Sequence, residues 1–252
     1  MTPEEAVAEL VPPGACVAVG GMHMTAAPMA LVREIVRQEI RIGRLVTSPS
    51  TSIQADLLIG ARLVEELVAP YVGFEDLGLA PAFRRAVEQG TVRLLESDEG
   101  GLTHALYAGA GGIPFVPLPA AIGRSDVPGT CPELYREVVD PFTGESRWAI
   151  RAIRPDVALI ACAEADEEGN VAFGRVPFTD RLMALAARRV IVQVERLVSS
   201  EEIATHEPGT TVPAFLVAAV AVAPGGCAPT ASPGFYPRDE AALREYLGAA
   251  RA

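Results

Sequence analysis

Two short segments of this chain carry the residue types and spacing that anion or acid–base chemistry needs. The first is Gly20-Gly21-Met22-His23, directly after an apolar run. Adjacent glycines at a strand end can adopt φ > 0 and admit close approach, so their N–H groups suit a developing oxyanion. The same pair can also close a tight turn that meets no ligand. Met22 and His23 lie just beyond, and the imidazole can face the cleft as hydrogen-bond donor, acid or base, or serve only as a surface or packing residue. The second segment is Glu96-Ser97-Asp98-Glu99-Gly100-Gly101, between an apolar run and a helical stretch. A carboxylate at a helix N-terminus is held ionised by the dipole. Asp98 or Glu99 can equally serve as the helix N-cap or sit in a solvated turn.

Other candidates are more dispersed. Ser50, Thr51 and Ser52 offer hydroxyls that either meet a ligand's carboxylate and amide groups or satisfy a turn. Arg124, in Gly123-Arg124-Ser125-Asp126, can grip an anion with its planar fork, or pair locally with Asp126. Asp166-Glu167-Glu168-Gly169-Asn170 reads as a reverse turn with φ > 0 at Gly169-Asn170. His104 follows Glu99 on the next helix, and His206 is expected in solvent. Cys227 has no sequence neighbour that would activate a thiol.

Composition removes several chemistries. All 21 cationic residues are arginine. Without lysine there is no Walker A lysine on a nucleotide, no Schiff-base lysine and no Ser-x-x-Lys pair. The net charge of −11 argues against a nucleic-acid or anionic-membrane surface. The four cysteines, Cys16, Cys131, Cys162 and Cys227, form no C-x-x-C, so no zinc site is expected and the thiols read as reduced and cytoplasmic. Residues 1–10 are acidic with no apolar core of a leader, and the longest apolar run, 214–223, is too short to span a bilayer.

These residues need a scaffold, and the pattern between them supplies one. Short apolar runs at 16–19, 45–47, 92–95, 115–116, 157–161 and 190–194 read as strands, several apolar at consecutive positions as in a sheet covered on both faces. Amphipathic stretches at 27–39, 81–89, 180–188 and about 239–250 read as helices. In 27–39, Leu31, Val32, Ile35 and Val36 form one side and Arg33, Glu34, Arg37 and Gln38 the other. The alternation predicts one α/β domain over 1–252, layered on a mainly parallel sheet, with ligands beyond the strands' carboxyl ends.

The stretch from Gly14 to Pro28 resembles the signature of the family I coenzyme A transferases. That signature reads Asp/Asn-Gly, two residues, three apolar residues, Gly-Gly-Phe, three residues, Gly, one residue, Pro. Gly14, Val17-Ala18-Val19, Gly20, Gly21 and Pro28 fit in place. Pro13 stands for Asp or Asn, Met22 for Phe, and Ala26 for Gly. The likeness to glutaconate CoA-transferase-type alpha subunits continues through Thr47-Ser48-Pro49-Ser50-Thr51-Ser52, Gly112-Ile113-Pro114-Phe115-Val116-Pro117, Gly123-Arg124-Ser125-Asp126 and Ala165-Asp166-Glu167-Glu168-Gly169-Asn170-Val171. Pro224-Gly225-Gly226-Cys227-Ala228-Pro229-Thr230 is similar to that family's Pro-x-Gly-Ala-His-Pro-Thr, with Ala228 in place of the His.

The resemblance implies the CoA-transferase fold, with coenzyme A as co-substrate and no permanently bound cofactor or metal. It implies a ping-pong reaction through a glutamyl-CoA thioester. The family's glutamate lies in motifs such as Ser-Glu-Asn-Gly in the beta half, and here the comparable loop, Ser48-Pro49-Ser50, has no carboxylate. The implied role is therefore that of an alpha subunit needing a beta partner, as an α2β2 or similar heteromer. Within it Gly20 and Gly21 would meet a thioester oxygen, and Met22, His23, Ser50, Thr51, Ser52, Arg124 and Asp126 would line the substrate. In a related branch, the CoA-ester ring-opening hydrolases of steroid degradation, an acidic residue before a helix is implicated in chemistry, and Glu99 matches it. A non-catalytic ligand-binding or scaffolding chain on the same fold is the third possibility. The acyl group is open.

Overall fold

The computed structural model describes residues 1–174, 176–205 and 211–251. Seven strands form the main sheet: β1 (Ala15–Val19), β2 (Ile42–Thr47), β3 (Val64–Val68), β4 (Arg93–Leu95), β5 (Val157–Ala165), β6 (Val190–Leu197) and β7 (Val217–Val222). Their order across the sheet is β7-β6-β5-β1-β2-β3-β4, and each of these neighbouring pairs is parallel. This is the expected layered, mainly parallel α/β sheet. Short antiparallel pieces at Val171–Ala172 and Thr211–Val212 prolong it beside the end of β5.

Parallel neighbours need crossovers, and helices supply them on both faces. They are α1 (Pro3–Leu10), α2 (Met29–Arg37), α3 (Ile53–Gly60), α4 (Pro81–Glu88), α5 (Glu99–Ala110), α6 (Asp180–Ala186) and α7 (Glu240–Arg251). Strand alternation divides the core between the faces. Val17, Val19, Leu45 and Leu67 point towards α1–α4 and α7, packing with Leu31, Ile35, Leu58, Leu243 and Leu247. Ala18, Val46 and Val68 point the other way, onto Leu102 and Leu106 of α5 and Met183 of α6. A small antiparallel sheet, with Ser146–Arg151 between Phe115–Pro117 and Tyr135–Val139, closes that second layer with Tyr135 and Ile150.

Several elements depart from the sequence expectation. The helix predicted over 27–39 begins after Pro28 and ends before Glu39, whose φ of 54° is left-handed and cannot continue a helix. β3 is absent from the expected strands, because Glu65 and Glu66 interrupt its apolar run. Glu66 is accommodated there by Arg44 of β2 and Arg93 of β4 on either side. β7 hides in an alanine-rich stretch of weak strand propensity. α3 is buried on nearly all sides and so shows no amphipathic stripe. Among the described residues no helix is long and apolar enough to cross a membrane.

Candidate active site

The sheet has a topological switch point. From β1 the chain winds outwards through β2, β3 and β4, and it then returns to the other side of β1 with β5. In such sheets the crevice lies beyond the carboxyl ends of the two central strands. The loop that leaves β1 there is Gly20-Gly21-Met22-His23.

Both glycine amides are already engaged. Gly20 N–H donates to Leu159 O of β5 at 2.9 Å, continuing the ladder. Gly21, at φ +87°, donates its N–H to Asp180 Oδ1 at 2.9 Å, and Asp180 at the start of α6 is fully buried. This corrects the expectation that Gly20 and Gly21 offer open donors to an oxyanion. Their small size has another use. A Cβ on Gly20 would stand 2.3 Å from Asp180 Oδ1, so the absent side chain makes room for that carboxylate. The Ala26 backbone fills the space beside Gly21 in the same way.

The loops after β1, β2 and β3 are knitted together at this rim. His23 N–H donates to Ser50 O at 2.9 Å, and Ser52 Oγ donates to His23 O at 2.7 Å. Ser50 and Thr51 pair in parallel with Tyr71 and Val72 beyond β3. That pairing carries Glu75 to the histidine, with His23 Nδ1 2.8 Å from Glu75 Oε1. Both residues adopt left-handed backbone, at φ 51° and 49°. Such conformations cost of order 1 kcal/mol or more in a non-glycine residue. Met22 is half-buried and pairs with Thr25. Ser50, Thr51 and Ser52 are buried, and the hydroxyls of Ser48 and Ser52 serve backbone carbonyls of the loops. Ser52 thus holds His23 in place, the loop-satisfying one of the two uses that the sequence left open for its hydroxyl.

The second segment resolves the capping question. Asp98 is the N-cap of α5, its Oδ1 accepting from Gly101 N–H at 2.6 Å, which leaves the Glu99 side chain exposed. Ser97 Oγ meets Tyr135 OH at 2.8 Å, and burial pushes that phenol up to about 12. His104 bonds Gly100 O through Nδ1 and lines a cavity of about 580 Å³ with Tyr107, Leu118 and Leu182.

Arg124 and Asp126 are both exposed. Arg124 lines a separate hollow beside Trp148 of the small antiparallel sheet, so the structure does not bring it to the glycine turn. Asp166 is the hub of the anticipated reverse turn, accepting from Glu168 N–H, Asn170 N–H and Asn170 Nδ2, with Gly169 at φ +93°. Burial works against its charge, but bonds from Asn170 and Ser200 prevail and hold its carboxyl below the ordinary value. Cys227 is buried. His206 lies outside the described residues. Sequence reasoning misses Glu75 and Asp180 as site residues. Asp180 reads there only as the acidic start of a helix, and nothing local marks Glu75.

The coenzyme A transferase family profile matches residues 1–223. A chain of the 3-oxoadipate CoA-transferase of Pseudomonas knackmussii is 36% identical, over 95% of this chain and 84% of its own length. The cholesterol ring-cleaving hydrolase IpdA subunit of Mycobacterium tuberculosis is 33% identical, over 98% of this chain and 86% of its own length. An uncharacterized protein of Archaeoglobus fulgidus, 34% identical over this whole chain, is longer, and the chain spans 56% of it. Among solved structures, the decarboxylase AibA/AibB superposes with a TM-score of 0.87 at 36% identity, covering 99% of this chain and 92% of that one. Glutaconate coenzyme A-transferase from Acidaminococcus fermentans gives 0.90 at 27% identity, covering 100% of this chain and 84% of that one. On this extent of match, and with the glycine turn at the sheet's switch point, the chain belongs to the coenzyme A transferase family.

Proposed function

We propose that the chain is the alpha subunit of a heteromeric acyl-CoA:carboxylate CoA-transferase of the cytoplasm, whose beta partner, of similar fold, supplies the nucleophilic glutamate. The observation that carries this reading is the loop after β2. It reaches the rim as Ser48-Pro49-Ser50-Thr51-Ser52, without a carboxylate, and its Ser48 and Ser52 hydroxyls are turned to backbone. A ping-pong transfer needs a carboxylate that attacks the thioester, yielding an anhydride and CoA thiolate. The thiolate then attacks the glutamyl carbonyl, releasing the first acid and leaving a glutamyl-CoA thioester. An incoming acid reverses the sequence and leaves as its CoA ester. Coenzyme A is thus a co-substrate, and an α2β2 or similar assembly completes the site.

The test compares the chain alone with the chain co-expressed with a family partner carrying the glutamate. After incubation with acyl-CoA, mass spectrometry of the native complex is expected to find the CoA adduct on the partner. Vigorous transfer by this polypeptide alone would refute the assignment.

A second reading rests on Glu99. Asp98 takes the capping bond, so Glu99 stands exposed at the head of α5 with no structural duty there. That arrangement suits a CoA-thioester ring-opening hydrolase, in which Glu99 acts as base or positions water. Full activity of an assembled Glu99→Gln enzyme would remove the hydrolase reading and leave the transferase.

A further inference from the structure

We infer that His23 and Glu75 form an acid–base dyad at the crevice, with His23 as the proton-transferring group and Glu75 as its positioning residue. Three observations meet here. The Nδ1 to Oε1 separation is 2.8 Å. Both residues hold left-handed backbone, which neither would adopt without a reason in the surrounding fold. The histidine main chain is fixed at both ends, its N–H on Ser50 O and its carbonyl under Ser52 Oγ.

The exposure of the ring gives the dyad its direction. Nδ1 is sealed from solvent, whereas about a third of the side chain is open (34%). The open edge therefore carries Nε2. The pair is in contact without the alignment of a hydrogen bond, as is common for catalytic pairs before a ligand binds. Once aligned, a carboxylate at Nδ1 selects the Nδ1–H tautomer of the neutral ring and leaves Nε2 to take or give a proton.

The chemical role rests on the transferase reading. The ring protonated on both nitrogens is the acid: when the thioester is attacked, its Nε2–H gives a proton to the departing CoA sulfur, and the neutral Nδ1–H ring remains. Nε2 then takes the proton back, which restores the thiolate that attacks the anhydride and the doubly protonated ring. Proton and electron pair balance over each half-reaction, with no outside reagent. Arg238 adds a cation beside the pair, and its charge interacts with Glu75 as well as with Asp76. The β2 loop brings hydroxyls and backbone to His23. The loop after β3 brings Glu75, and the adjacent Asp76 is occupied by Arg238.

Two arms test the dyad. The chain has three histidines, so imidazole nitrogen NMR of the full chain resolves each ring. The neutral His23 ring is expected to hold its proton on Nδ1 and to lose that preference in Glu75→Gln. A neutral Nε2–H tautomer in the unsubstituted chain would overturn the inference. In the assembled enzyme, His23→Gln is expected to lower kcat by about 10²–10⁴-fold and to remove one limb of its pH profile. Glu75→Gln is expected to lower kcat about tenfold with KM and melting temperature little changed. An unaltered pH profile in His23→Gln would also overturn it. Should the assembled wild-type enzyme show no transfer at all, the transferase reading fails, and the NMR arm still decides the dyad.

Discussion

Gly20 and Gly21 sit side by side yet are required for different reasons, and substitutions should separate them. Alanine at Gly20 sets its Cβ 2.3 Å from the Asp180 carboxylate and 3.2 Å from Ile160 Cγ2. The side chains can shift, so a loss of about 1–3 kcal/mol is expected in urea unfolding. Alanine at Gly21 meets the Ala26 and Ala27 backbone at 2.8 Å and must also adopt φ +87°, so the loss should be larger. A second residue-scale prediction concerns Asp56, which is fully buried in α3. Its carboxylate accepts from Phe83 N–H at 2.7 Å and Tyr246 OH at 2.8 Å, tying α3 to α4 and α7. Burial raises its pKa above the ordinary 3.8 despite those bonds. The folded state therefore holds this proton more tightly than the unfolded chain does. The contribution is full below about pH 3.8 and is lost as pH rises through the elevated value. Asp56→Asn should abolish that decline, so its melting temperature relative to the native chain should rise across this window. Asp56→Ala, which orphans two donors, should cost about 2–4 kcal/mol.

At the scale of elements, the head of α5 sets a capping carboxylate, Asp98, beside an exposed one, Glu99. Asp98→Ala removes the cap and should cost about 1 kcal/mol, whereas Glu99→Gln should leave thermal unfolding within about 0.5 kcal/mol of the parent. Equal losses in calorimetry would mean that Glu99 shares the capping work. The same contrast explains what is legible in the sequence. Strands and helices with strong periodicity, such as β5, β6 and α2, can be read locally, as can the glycine turn and the reverse turn at Asp166. The interactions that define the site are long-range. Asp180 reaches Gly21 across 159 positions, and Glu75 reaches His23 only because the loops after β2 and β3 pair. Ser50–Ser52 can be singled out as site candidates by residue type, but their burial depends on that pairing and has no local signature. Arg124 suits an anion by type, and only the position of the small antiparallel sheet shows that it faces another hollow.

For the whole molecule, charge and topology act together. A chain at −11 is a poor partner for polyanionic coenzyme A by long-range attraction. CoA affinity measured calorimetrically should rise on assembly with the partner, and equal affinity for the lone chain would place the whole nucleotide site here. The parallel sheet has a further use. Because β1 to β7 all point the same way, the loops that carry the candidate site residues crowd one rim, and the turns entering those strands occupy the opposite one. The Gln89–Thr91 turn lies on that far rim, exposed, with open space around Gly90. A fluorophore or epitope inserted there would ride on the scaffold without touching the crevice, giving a handle for watching the two chains associate.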